Sequence, residues 1–211
     1  GPRVSLGLML MQAGAEDQAR VELREAARLD PFNVQAANQL KLVEELLGYE
    51  QIRTKHFVIK YRKGIDEALA RDMPETLEGI YRQVTGIFGY RPERPTLIEI
   101  MPDEQYFGVR ITGLPEIWTI AACSGDVIAL TPPRLGVRQR GPFDWARVIR
   151  HEFAHVVTLN QTSYRVPHWF TEACAVSMEP GDRPYQACLL LAKALAEDDL
   201  FDLDEINWAF V

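Results

Sequence analysis

Val148-Ile149-Arg150-His151-Glu152-Phe153-Ala154-His155-Val156-Val157 sets ionisable side chains into an otherwise apolar helical pattern. At 3.6 residues per turn, His151 and His155 fall one turn apart on the same face, so both imidazoles can converge on one ion. Glu152 lies beside them. The pattern is H-E-x-x-H, in which two neutral histidines bind zinc and the glutamate acts as base toward water at the metal. A half-buried helix that carries two histidines for other reasons would show the same five residues, so the reading needs a second element.

That element lies downstream. A polar connection, Asn160-Gln161-Thr162-Ser163-Tyr164-Arg165-Val166, leads into Pro167-His168-Trp169-Phe170-Thr171-Glu172-Ala173-Cys174-Ala175-Val176. Proline suits the first turn of a helix, which puts Glu172 on a second helix after a short connection. Short connections favour antiparallel neighbours, and such a pair returns Glu172 toward the two histidines. Two histidines and one glutamate, with water in the fourth position, form a catalytic zinc arrangement. His168 competes with Glu172 for the third ligand position, because it is near and can coordinate; otherwise it walls or caps the site.

The two motifs together, His151-Glu152-x-x-His155 and Pro167-x-Trp169-x-x-Glu172-Ala173-x-Ala175, resemble the gluzincin clan of zinc metallopeptidases. They are most similar to the peptidase MA-like domains found in bacterial proteins beside tetratricopeptide repeats, and the resemblance covers residues 57–179. It implies that His151, His155 and Glu172 bind one zinc ion and that Glu152 is the general base in hydrolysis of a peptide or protein substrate. It favours an extracytoplasmic setting. It also implies that the strand just before the active helix, residues 127–131, is a sheet edge that pairs with an extended peptide. Two departures stand out. Ala173 replaces the usual glycine, and positions 175 and 176 carry no carboxylate to orient a histidine, so that partner must come from elsewhere. An oxyanion-stabilising donor is expected among Tyr164, Tyr185 and His168, and nothing in the sequence chooses between them.

Upstream of the motif, residues 56–61 alternate like a strand with Phe57, Ile59 and Tyr61 on one face, and a new domain begins about there. Residues 66–88 place Leu69, Met73, Leu77, Ile80, Val84 and Phe88 at helical spacing, with Pro74 as a kink or a true start. Residues 96–101 and 127–131 read as strands, residues 103–108 as a short helix, and Asp144 as a cap for the motif helix. Residues 134–142 form a loop whose Arg134, Arg138 and Arg140 are better read as solvated than as a site for an acidic substrate. After a turn at 179–184, residues 185–197 form a helix whose Leu189, Leu190, Ala194 and Leu195 are expected in the core.

The first 48 residues read as helices: two across residues 6–33, separated near Gly14, and a third across 34–47 capped by Asn33. Leu6-Gly7, Leu10, Ala19, Leu23, Ala26 and Pro31 resemble a tetratricopeptide repeat, although Arg3 stands where an aromatic is usual. The resemblance implies a protein partner for this segment. One and a half repeats are fewer than such arrays need, so the segment either continues upstream or packs on the next domain. Gly1-Pro2 at one end and the apolar Trp208-Ala209-Phe210-Val211 at the other suggest a natural chain that continues, with the second domain truncated at its C-terminus.

The totals narrow the class. With 23 basic and 30 acidic residues the net charge is -7, which argues against a nucleic-acid partner. No apolar run approaches the roughly 20 residues of a membrane span. Cys123, Cys174 and Cys188 form no C-x-x-C pair, so neither a zinc finger nor a disulfide framework is expected, and the compartment stays open. The expectation is therefore an α+β zincin-like domain over 49–211, a zinc metallopeptidase behind a tetratricopeptide-like segment over 1–48. The alternatives are a non-catalytic protein-binding scaffold with a vestigial zinc site and a zinc amidohydrolase acting on a non-peptide amide.

Overall fold

The computed structural model describes residues 1–209; Phe210 and Val211, the end of the apolar terminus, lie outside the described residues. Three helices come first: α1 (Pro2–Gln12), α2 (Glu16–Leu29) and α3 (Val34–Leu46). Gly7 is the contact point of α1 and α2, since a Cβ there would stand 2.6 Å from Leu23 Cγ. Ala19, Leu23 and Ala26 are buried in the seam, and Asn33 caps α3 by accepting from the Ala36 N–H at 2.9 Å.

The remainder is α+β. Strands β1 (Glu50–Arg53), β2 (Phe57–Tyr61), β3 (Thr96–Ile100), β4 (Ala121–Ser124) and β5 (Val127–Leu130) form one sheet in the order β1-β2-β3-β5-β4. The central strands β2, β3 and β5 run parallel, and β1 and β4 are antiparallel edges. The strand expected at the cleft edge, residues 127–131, is therefore interior. The edge is β4, because the tight turn at Ser124–Val127 folds β4 back along the outside of β5.

Parallel strands are normally covered on both faces, and here different helices cover each. Phe57, Ile59, Ile98, Ile100, Ile128 and Leu130 meet α4 (Asp66–Phe88) and α6 (Trp145–Gln161) in the main core. Helix α4 runs through Pro74 and ends at Gly89, whose φ of 64° is the left-handed conformation that glycine adopts freely. The opposite face receives α1–α3 and α5 (Glu104–Thr112), with Met11, Leu42, Leu46, Met101, Phe107 and Ala129 in a second core. On that face Lys60 and Glu99 are cross-strand partners, and both are buried. Lys60 pairs with Glu16 of α2, and Glu99 accepts from Arg110 Nε of α5 at 2.5 Å while Arg110 also donates to the Met11 carbonyl at 2.8 Å. Strand alternation alone would have sent Lys60 and Glu99 to water.

Helices α7 (His168–Met178), α8 (Tyr185–Glu197) and α9 (Glu205–Ala209) complete the described chain. Helix α8 departs from expectation: no residue of it is buried, and Leu189, Leu190 and Leu195 are exposed instead of in the core. Its polar Gln186, Lys193 and Glu197 fall on one face, and the apolar residues that cover the rest of the helix are not buried by the described chain. In the loop over 134–142, Arg134 pairs with Asp66 at 2.6 Å and Arg140 with Glu104 at 3.2 Å, so two of its three arginines anchor the loop. No described helix is long and apolar enough to cross a membrane.

Candidate metal centre

Helix α6 begins at Asp144, whose carboxylate accepts from the Arg147 N–H at 3.0 Å. Ile149, Phe153, Val156 and Val157 turn into the main core. That packing fixes the helix rotation and leaves His151, Glu152 and His155 on the side that lines the cleft. Past Thr162 the chain reverses through Ser163 (φ 51°) and Tyr164 (φ 61°), left-handed positions that cost side-chain-bearing residues roughly 1 kcal/mol or more each. Helix α7 then runs antiparallel to α6, as the pairing of Thr158 with Thr171 and of Arg147 with Glu179 requires.

One ligand atom from each of His151, His155 and Glu172 lies within 4.8 Å of the other two. The two Nε2 atoms are 3.2 Å apart, and each stands 3.5 Å from a Glu172 carboxylate oxygen. Ligands of a tetrahedral zinc ion at about 2.0–2.1 Å are separated by roughly 3.3 Å. These spacings fit that ion.

The hydrogen bonds behind the histidines decide which ring nitrogen faces the centre. Thr158 Oγ1 must donate to the Ala154 carbonyl at 2.9 Å, because a carbonyl only accepts. Its proton being used, Thr171 Oγ1 donates to Thr158 Oγ1 at 2.8 Å. Thr171 then has only a lone pair for His155 Nδ1 at 2.9 Å, so Nδ1 carries the proton and Nε2 offers its lone pair to an ion. Burial, opposed by Glu172, lowers the His155 pKa to about 4, which keeps the ring neutral. His151 is oriented by a charge instead: its Nδ1 meets Glu179 Oε1 at 2.7 Å, and Arg147 donates to Glu179 Oε2 at 2.9 and 2.6 Å. Burial works to raise the Glu179 pKa, but the hydrogen bonds from Arg147 and His151 outweigh it and hold the carboxylate ionised.

Glu179 thus stands toward His151 as the carboxylate missing from positions 175 and 176 would. It sits seven residues beyond Glu172, two helical turns along the same face, at the C-cap of α7. That spacing is the signal that could have found it, together with Arg147 one turn before His151. Thr171 and Thr158 carried no comparable signal, since threonine inside a helix is common.

Glu152 is buried beside the ligands. Burial first and the nearby Glu172 second push its pKa up to about 8, against a hydrogen bond from the Cys123 backbone on β4. A cation at the centre would oppose that rise. A cleft of about 720 Å³ runs from these residues along β4, with Trp118, Thr119, Ala121 and Cys123 on its strand side and Leu159, His168 and Thr171 on its helix side.

His168 stands outside the three-residue cluster but lines the same cleft, with Nε2 at 3.2 Å from Glu172 Oε1. Of the three candidate oxyanion donors, only His168 lines this cleft. Tyr164 leans on the β4–β5 turn at Gly125, and Tyr185 is exposed at the start of α8. The three cysteines are free. No protein-family model, curated protein or solved structure matches the chain.

Proposed function

We propose that the chain is a zinc-dependent metallopeptidase of the gluzincin type, with a zincin-like α+β domain and one zinc ion held by His151, His155 and Glu172. The observation that carries this reading is the convergence of two Nε2 lone pairs and a carboxylate at tetrahedral spacing, with both Nδ1 atoms tied down behind them. Zinc in such a site polarises a carbonyl and acidifies water. Glu152, beside the ligands and facing the cleft, takes the proton from the attacking water and returns it to the leaving amine. His168 is the available donor to the developing oxyanion. Strand β4 is an edge strand of the sheet and lies beside the ligands, so an extended peptide can dock along it as an added strand. A protein partner bound through α1–α3 would meet their outer face, because the inner face is buried against the sheet and α5.

Elemental analysis of the purified protein and hydrolysis of a broad peptide library test this reading. Wild type should carry one zinc per chain, and Glu152→Gln should keep the zinc while losing about 10²–10⁴-fold in rate. Zinc without hydrolysis of any peptide by the wild type would replace the peptidase with a binding-only protein. Hydrolysis confined to non-peptide amides would make it an amidohydrolase.

A further inference from the structure

A second cavity, of about 370 Å³, opens between the β1–β2 turn and the C-terminal half of α4, lined in part by Lys55, His56, Glu78, Tyr81, Arg82 and Arg91. Its cations come from three segments: the turn before β2, helix α4, and the loop that follows Gly89. They are gathered by the fold rather than strung along one solvated helix face.

The carboxylate at this cavity is already engaged. Glu78 accepts from the His56 backbone N–H at 3.0 Å and meets His56 Nδ1 at 2.7 Å. Lys55, Arg82 and Arg91 have no ion-pair partner among the described residues. Three cations gathered around the single carboxylate of Glu78 leave an excess of positive charge in the concavity, which favours a further anion.

The cavity wall adds a neutral donor. Tyr81 is buried, its ring stacked on His56 at 3.6 Å and 8°. Its hydroxyl has no hydrogen-bond partner among the described residues, and it lies close enough to Arg91 for the guanidinium to act on its ionisation. Burial nevertheless raises the phenol's pKa, so it remains a donor. An ammonium, two guanidinium forks and a phenol donate, and the one carboxylate is occupied. Guanidinium forks match the oxygens of a phosphoryl group, and the cavity has the volume of a small-ligand pocket rather than of a bare ion site.

We propose that this cavity binds a small phosphorylated ligand, with Arg82, Arg91 and Lys55 on the phosphoryl oxygens and the Tyr81 hydroxyl as a further donor. The site is separate from the metal centre and does not rest on the peptidase reading.

Isothermal titration of the whole chain at fixed ionic strength tests it, with inorganic phosphate, phosphoserine and a phosphoserine-containing peptide as probes. Saturable one-to-one binding is expected, weakened about 100-fold in R82Q/R91Q, on the order of tenfold for each guanidinium–phosphoryl pair removed. Zinc content and circular dichroism should not change. Lys55→Gln, on an exposed turn, cannot unfold the chain and should cost roughly three- to tenfold. Phosphoserine binding as tightly as the peptide supports a free small ligand; binding of the peptide alone overturns the small-ligand proposal in favour of a peptide-borne phosphate. Absence of saturable binding by every probe, or binding unchanged in both variants, overturns the proposal.

Discussion

Helices α7 and α8 are near neighbours in sequence, similar in length and rich in apolar residues, yet they end in opposite environments. Helix α7 buries Thr171, Ala175 and Met178 against α6 and the main core, and its polar groups are wired to the histidines. Helix α8 buries nothing. Composition does not separate the two; a partner does. Helix α7 has a face matched to α6, small at Ala175 and polar at Thr171 and Glu172, whereas no face of α8 is buried by the described chain. The first is held in one orientation by packing and hydrogen bonds, as the proposed metal site requires. The second has nothing in the described chain to fix it.

Three substitutions probe that contrast. Phe153 sits in α6 beneath the ligands, 5.2 Å from the Phe57 ring and 5.8 Å from the Tyr81 ring, and it is fully buried. Phe153→Ala should cost about 3–5 kcal/mol in denaturant unfolding. A cost below about 1 kcal/mol would mean that α6 is not anchored by this core. Glu179→Gln keeps an acceptor for His151 Nδ1 but removes the charge and the Arg147 pair. Zinc affinity in a chelator competition should fall about 10–100-fold with the fold intact, and an unchanged affinity would remove Glu179 from the site. Leu190 is 70% exposed on α8, so Leu190→Ser should alter stability by less than about 0.5 kcal/mol. A loss of several kcal/mol would show that α8 is covered in solution and that the contrast with α7 disappears.

Much of the secondary structure was legible because its signals are local. The long helix over 66–88, the caps at Asn33 and Asp144, and the strands around residues 57, 96 and 127 follow from periodicity and capping chemistry. The short strand β1 escaped because Glu50-Gln51-Ile52-Arg53 has almost no apolar alternation; its pairing with β2 makes it a strand. Edge position escaped as well. Whether residues 121–124 or 127–130 lie outermost depends on which strand of the hairpin pairs with β3, which no pattern within either strand encodes. Burial of Lys60 and Glu99 depends on α1–α3 and α5 covering a face that the strand pattern alone leaves open.

By itself the sequence determined the three candidate ligands and the candidate base, because a one-turn separation on a helix and a glutamate after a short polar connection constrain where side chains can go. Only the tertiary structure decided how those ligands are aimed. Glu179 orients His151 from the far end of α7, and a relay from Thr171 through Thr158 to the Ala154 carbonyl sets the His155 tautomer. The bonds that cross between the two helices join residues 13 to 32 positions apart. Their geometry follows from the antiparallel packing of α6 and α7, which local patterns imply but do not specify.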